Sequence, residues 1–241
     1  MPLLSIIIPA YNEARFIGGL LEQVLRVPTA ELGFKTEVIV VDDGSQDRTA
    51  EIARGFPGVR VFTQVPNQGK GKAVQRGIRE STGDYVLVQD ADLEYDPNDY
   101  LALLGALRGG AGSVYGSRVL GQRVRQAGFT LFPGRHPQQR LGPWLAGQAL
   151  TLWTWLLYGK WITDTLTAYK LYPAPAVRAM RVRTSGFETD HEITAKLIRG
   201  GLKIVEVPIA YRPRGIEEGK KIKARDGFIA LWTLFRFRFV D

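Results

Sequence analysis

The sequence predicts an α/β fold built on a central, mainly parallel sheet flanked by helices. Short β-branched runs alternate with helical patterns through the first half of the chain, the rhythm of parallel strands joined by crossover helices. Each run is apolar almost throughout, as strands covered on both faces should be. Polar residues gather where the runs end, and open α/β sheets bind their ligands beyond the carboxyl ends of their strands.

The predicted strands are Leu3–Pro9, Glu37–Asp42, Val59–Thr63, Asp84–Asp90 and Gly112–Gly116. Between them, Ser45 or Asp47 can cap a helix running to Arg54. Asp96-Pro97 supplies a cap and a first-turn proline for a helix running to Leu107. The second half is less regular. An Arg- and Gly-rich connection from Val119 to Arg140 leads into a long apolar stretch. An amphipathic helix is expected over Phe187–Arg199, closed by Gly200-Gly201, then a strand Lys203–Tyr211 and a last helix from Asp226. No internal repeat is visible, and 241 residues fit one domain.

Composition bounds the partners. A hydrophobic fraction of 45% and a charged fraction of 23% are those of an ordinary globular protein. Lys and Arg outnumber Asp and Glu by 32 to 24, a net charge of +8 that favours phosphate-rich ligands or anionic surfaces. The positive excess falls late in the chain, through Arg118, Arg135 and Arg181 to Lys220-Lys221-Ile222-Lys223-Ala224-Arg225. With no cysteine there is no disulfide framework and no thiolate metal site. The start lacks the pattern of a signal peptide, so a cytoplasmic setting is expected.

Four motifs stand at predicted strand ends or helix starts. Pro9-Ala10-Tyr11-Asn12-Glu13 ends the first strand, and Asp42-Asp43-Gly44-Ser45 ends the second. A carboxylate at such a place can accept from a nucleobase N–H or a ribose hydroxyl. Asn67-Gln68-Gly69-Lys70-Gly71-Lys72 brings two glycines and two lysines to a helix start, an anion-facing arrangement. Asp90-Ala91-Asp92 with Glu94 comes at the end of the fourth strand. If the backbone stays extended, alternation turns the three carboxylates to one side, where a divalent cation would relieve their repulsion. Each motif alone also fits a solvated turn.

Together these four ordered motifs resemble family 2 inverting glycosyltransferases of the GT-A fold. The similarity is greatest to enzymes that load mannose or glucose onto dolichyl or undecaprenyl phosphate. It continues through Gly116-Ser117-Arg118, the stretch Asp164–Lys170, and Phe187–Arg199 to Gly219-Lys220-Lys221. The resemblance implies a GT-A domain over 1–241, with a nucleotide-sugar half over 1–118 and an acceptor half over 119–241. It implies that Pro9, Tyr11, Glu13 and Asp42 contact the nucleoside and that Lys72 helps with the donor. Asp43, Asp90 and Ala91 complete the donor-binding set. Mg²⁺ or Mn²⁺ would be held by Asp92 and position 94, assisted by Asp90. The mannosyltransferases commonly carry glutamine at position 94; Glu94 departs from them and leaves GDP-mannose and UDP-sugars both open.

Inversion builds charge on the departing nucleoside diphosphate, and cations there lower the barrier. Besides the metal, the resemblance nominates Arg118 and the pair Arg214 and Lys220, six residues apart, near the acceptor phosphate. A phosphate acceptor is already anionic, whereas a hydroxyl acceptor needs a base. The cluster Glu188-Thr189-Asp190-His191-Glu192 offers Asp190 for that role, although Glu188 and Glu192 share a helix face and fit capping or ion pairing equally well. His191 reads as structural. Asp164 lines the acceptor site or forms a turn.

No charged side chain occurs between Leu141 and Gly159. Gly142-Pro143, Gly147 and Gln148 argue against a membrane-spanning helix. Trp144, Trp153, Trp155, Tyr158 and Trp161 are headgroup-zone residue types. With the arginine- and aromatic-rich segment 228–239, they predict amphipathic helices lying in the membrane interface; packed aromatic core is the competing reading. The expected partners are a nucleotide-sugar, a lipid phosphate and a membrane surface. Nucleic acid is not among them.

Overall fold

The computed structural model describes residues 1–126, 130–139, 141–213 and 224–240. Its sheet contains seven strands: β1 (Leu3–Ala10), β2 (Lys35–Asp42), β3 (Val59–Thr63), β4 (Tyr85–Val88), β5 (Ser113–Ser117), β6 (Lys170–Pro173) and β7 (Ile204–Pro208). Their spatial order is β3-β2-β1-β4-β6-β5-β7. All neighbours are parallel except β6, which runs antiparallel to both β4 and β5. The expected mainly parallel α/β sheet is therefore present, and it draws strands from both halves of the chain.

Helices cover both faces. They are α1 (Ile17–Arg26), α2 (Thr49–Arg54), α3 (Lys70–Glu80), α4 (Tyr100–Arg108), α5 (Arg118–Arg125), α6 (Leu141–Tyr158), α7 (Ala174–Arg178), α8 (Thr189–Arg199) and α9 (Ala224–Phe239). Strand alternation divides the core. Leu4, Ile6 and Ile8 of β1 pack with Leu20, Leu21, Leu103 and Leu104, while Ile7 faces Val74, Ile78 and Ile193 on the opposite side. A third cluster joins Leu150 of α6, Ala195 of α8, and Ala230, Leu234 and Phe237 of α9.

The first half matches the sequence expectation closely. Asp47 Oδ1 accepts from the Thr49 N–H at 3.0 Å as α2 begins, and Asp96 Oδ1 accepts from the Asn98 N–H in the 3₁₀ turn Pro97–Asp99 that leads into α4. The second half departs from it. The connection after Val119 is not irregular at its start, because α5 occupies it, capped by Ser117 Oγ accepting from the Leu120 N–H at 3.0 Å. Strand β6 is absent from the sequence expectation. It is four residues long, and its first residue is a lysine, Lys170, that pairing buries completely. The predicted strand Lys203–Tyr211 contracts to β7, whose register with β5 runs from Ser113 opposite Ile204 to Ser117 opposite Pro208.

Helices α6 and α9 lie against one another. Trp153 Nε1 donates to the Leu231 carbonyl at 3.1 Å and the Tyr158 hydroxyl to the Leu234 carbonyl at 2.6 Å. The packed-core reading holds for Phe237, which is buried, whereas Trp155, Trp161 and Trp232 are 47%, 58% and 61% exposed. Among the described residues, no helix is long and apolar enough to cross a membrane.

Candidate active site

The ends of β1 and β2 are latched together. Asn12 takes a left-handed turn with φ 54°, donates its N–H to Ser45 Oγ at 2.9 Å, and accepts from the Gln46 N–H at 2.8 Å. Glu13 donates its N–H to Thr49 Oγ1 at 2.8 Å, and Asp47 accepts from the Ala14 N–H at 3.1 Å. Short polar side chains thus replace the strand ladder where the strands stop. Pro9 lies opposite Val41 and Ala10 opposite Asp42, so the Tyr11–Glu13 turn begins beside Asp42. Glu13 and Asp42 are 7% and 2% exposed.

Asp43, expected in the donor-binding set, is engaged by the loop that leads into α3. Its Oδ1 accepts from Gln64 Nε2 at 2.6 Å and the Gln68 N–H at 2.8 Å, and its Oδ2 from the Gly69 N–H at 2.8 Å. One carboxylate therefore organises the whole segment that leads into α3. The other side of that helix start is fixed by close backbone approach. Gly69, at φ 95°, would put a Cβ 2.7 Å from the Ser185 carbonyl, and Gly71 would drive one into Thr189. Those glycines bring the segment 183–189 down onto α3, where the Lys72 N–H donates to the Ser185 carbonyl at 3.2 Å.

This places Lys70 at the fourth strand end. Lys70 Nζ lies 2.6 Å from Asp90 Oδ1 and over the Phe187 ring at 5.5 Å. Burial lowers its pKa, but the charges of Asp90, Asp190 and Asp92 outweigh that and hold the ammonium above its ordinary value. Helical spacing carried the signal. Lys70 shares a row with Val74 and Gly77, both buried, whereas Lys72 shares one with Arg76 and Arg79.

Asp90 is set by Gln89, which is fully buried. Gln89 Oε1 accepts from the hydroxyls of Tyr100 and Tyr169, each at 2.6 Å, and its Nε2 donates to the Asp90 carbonyl at 2.8 Å. The expected fan of three carboxylates on an extended backbone does not form. β4 ends at Val88, and the chain turns through Ala91 and Asp92 to a left-handed Leu93 at φ 58°, which breaks the alternation. Glu94 Oε2 accepts from the Tyr211 hydroxyl at 2.7 Å, and the Glu94 N–H donates to Asp92 Oδ1 at 3.2 Å. Among the described residues, no three carboxylates or imidazoles are grouped to cage a metal ion. The donor set fits instead a cation held by one or two carboxylates and completed by phosphate oxygens, the usual manner of Mg²⁺. The Lys70 ammonium at Asp90 is itself a cation in that corner.

Arg118, expected near the acceptor phosphate, is clamped to Asp164, which is 6% exposed, by hydrogen bonds of 2.7 and 2.8 Å. Its guanidinium lies 4.9 Å from the centre of the Tyr211 ring and 6.0 Å from that of Tyr95. Glu206 fixes the same turn by accepting from the N–H groups of Thr163 and Asp164. Arg214 and Lys220 lie outside the described residues. Asp190 stands in the first turn of α8. Glu188 accepts from the Gly186 N–H and Glu192 from those of Arg183 and Thr184, so both hold the segment above α3, and Glu192 also pairs with Lys196 at 3.0 Å. His191 is buried. Burial and the nearby Lys170 charge push its pKa down to about 3, which keeps the imidazole neutral.

The arrangement is a nucleotide-type α/β edge with carboxylates at three neighbouring strand ends and a lysine among them. The family model for glycosyl transferase family 2 matches residues 5–144, and the chain belongs to that family. It is 31% identical over 238 residues to a dolichol-phosphate mannosyltransferase of Pyrococcus furiosus, covering 96% of this chain and 62% of that relative. It is 27% identical over 247 residues to the dolichyl-phosphate beta-glucosyltransferase ALG5A of Trichomonas vaginalis, covering 95% of this chain and 71% of that relative. This chain thus spans somewhat under two thirds of the first relative's length. In fold it is similar to glucosyl-3-phosphoglycerate synthase from Mycobacterium tuberculosis, solved with Mn²⁺, UDP and phosphoglyceric acid. The TM-score is 0.71 at 21% identity, covering 100% of this chain and 80% of that one.

Proposed function

We propose that this protein is a metal-dependent inverting glycosyltransferase. It moves a hexose from a nucleotide-sugar of the GDP-mannose or UDP-glucose type to a polyprenyl or dolichyl phosphate at the cytoplasmic face of a membrane. The observation that carries the reading is the Lys70–Asp90 pair at the end of β4, close to the charges of Asp92 and Asp190 and beside the latched ends of β1 and β2. That corner offers both charge signs, as a diphosphate with its counter-cation requires.

Glu13 and Asp42 supply acceptors for the nucleoside, with Pro9, Tyr11 and the Ala91 backbone shaping its surroundings. Asp90 and Asp92 would hold Mg²⁺ or Mn²⁺, which when bound offsets the charge that builds on the leaving diphosphate. Lys70 adds a fixed positive charge on the same side. Arg118, oriented by Asp164, turns its remaining donors toward an incoming phosphate, for which an arginine fork is well suited. That phosphate is anionic at neutral pH and attacks without a strong base. Exposed aromatics support a lipid acceptor: Trp155 on α6, Trp161 just beyond its end, and Phe228 and Trp232 on α9, which also carries Arg236 and Arg238. All of this would belong to one domain over 1–241.

A second reading is transfer to a hydroxyl acceptor with Asp190 as base, favoured by the position of Asp190 in the first turn of α8, its charge acting on Lys70. One experiment separates the readings. Transfer from UDP-glucose and GDP-mannose with Mn²⁺ is measured to a polyprenyl phosphate and, in parallel, to the free alcohol. Product on the phosphate alone is expected; product on the alcohol alone selects the second reading, and inactivity across a wider donor panel leaves a nucleotide-sugar-binding module.

A further inference from the structure

Two cationic partners have a claim on one carboxylate in this site. The Asp90 side chain is 22% exposed and already carries the Lys70 ammonium at 2.6 Å. The lysine's backbone is fixed beside that carboxylate. Its helix start is held from one side by Asp43 through the Gly69 N–H and from the other by Ser185 against Gly69 and Gly71, and its side chain lies under Phe187. A divalent cation arriving alone must therefore displace a pre-placed positive charge, or bind close beside it against repulsion. A nucleoside diphosphate changes both sides of the contest. Its oxygens give Lys70 another anionic partner and give the cation ligands that the protein lacks, since the described residues form no three-ligand cage.

We propose that Lys70 is a built-in counter-ion that occupies Asp90 until the donor's diphosphate arrives, so that metal binding is coupled to nucleotide binding. This rests on the reading of Asp90 and Asp92 as the metal and diphosphate site. Coupling of this kind is reciprocal, so the metal raises nucleotide affinity by the same factor as the nucleotide raises metal affinity. The free protein then keeps its acidic corner neutralised and does not collect adventitious divalent cations.

The test is equilibrium binding of Mn²⁺ to the whole chain, monitored by electron paramagnetic resonance, without nucleotide and with UDP or GDP in separate arms. The wild-type protein should bind Mn²⁺ at least about tenfold more tightly with the matching nucleotide. Lys70→Met should bind Mn²⁺ alone at least about tenfold more tightly than wild type and gain less from nucleotide. Lys70→Arg should behave as wild type. Adding Asp90→Asn to Lys70→Met should remove the gain, which locates the cation at Asp90. Matching melting curves establish that the variants fold. If Lys70→Met leaves Mn²⁺ affinity unchanged or lower while wild type still responds to nucleotide, the counter-ion role is overturned and the metal reading stands. If no protein binds Mn²⁺ with either nucleotide, the metal reading falls and the inference with it.

Discussion

Arg118 and Asp164 face one another through two parallel hydrogen bonds, Nε to Oδ2 at 2.7 Å and a terminal guanidinium nitrogen to Oδ1 at 2.8 Å, and the Arg118 N–H adds a third contact to Oδ2 at 3.0 Å. The pair joins the end of β5 to the turn that precedes β6. Removing only the acid strands a mostly buried guanidinium, which costs about 3 kcal/mol in such settings. Asp164→Ala should therefore lower the melting temperature by roughly 6–12 °C in a chain of this size, and lose acceptor affinity more than donor affinity. Calorimetry and separate KM values for the two substrates check both parts.

Asp92 is the carboxylate to which the proposed reading gives the metal. Its Oδ1 accepts from the Glu94 N–H, a bond that asparagine keeps. Asp92→Asn should cut transfer by at least about a hundredfold with an unchanged melting temperature. Substantial transfer by a well-folded variant refutes the assigned role.

Asp99 gives a pH signature. Burial raises its pKa to about 6, against the lowering effect of the hydrogen bond it accepts from the Ala210 N–H; Asp96 pushes the same way as burial, and Arg125 opposes it. An acid bound more tightly to its proton in the folded state stabilises below its unfolded pKa, and that contribution is lost as pH rises through the folded value. Between pH 4 and 7 the wild type should lose this part of its stability. Asp99→Asn should be the more stable protein at pH 7, and its advantage should shrink toward pH 4. Denaturant melts at several pH values, taken as the difference between the two proteins, isolate the effect.

The α6–α9 face predicts a binding phenotype separable from chemistry. Trp155 and Trp232 are half exposed, so replacing both with serine should change stability little. The double variant should fail to float with vesicles rich in anionic lipid while binding nucleotide normally. Wild-type flotation should weaken as salt rises. Wild-type protein that does not float on acidic vesicles removes the membrane-docking reading.

The sequence is most readable where one residue type has one structural consequence. Runs such as Val38-Ile39-Val40-Val41 pack on both faces and could hardly be anything but interior strand. Asp96-Pro97 marks its turn through a cap that is local. The illegible features depend on partners distant in sequence. β6 is a strand because β4 and β5 flank it, not because four residues beginning with a lysine favour one. Asp43 stands beside Asp42 in an acidic pair, and only the fold of segment 64–69 around it reveals that it serves the loop. Lys70 was within reach of the sequence, because its row through Val74 and Gly77 is written in the spacing. The positive φ at Leu93 has no local signal, and without it alternating acids would stay on one side.

The reversed strand β6 has an architectural effect of its own. Parallel strands hand their outgoing loops to the ligand edge, and these carry Glu13, Asp42 and Asp90. A strand running the other way delivers its incoming segment to that edge, since Leu171 lies opposite Leu87 and Lys170 just precedes it. The turn 164–169 therefore enters the cleft from a long excursion that leaves after β5 and returns before β6. That excursion lies outside the strand ends that carry Glu13, Asp42 and Asp90. On the proposed reading, one reversed strand thus brings the acceptor's residues to the ligand edge on a piece of chain separate from those that hold the donor.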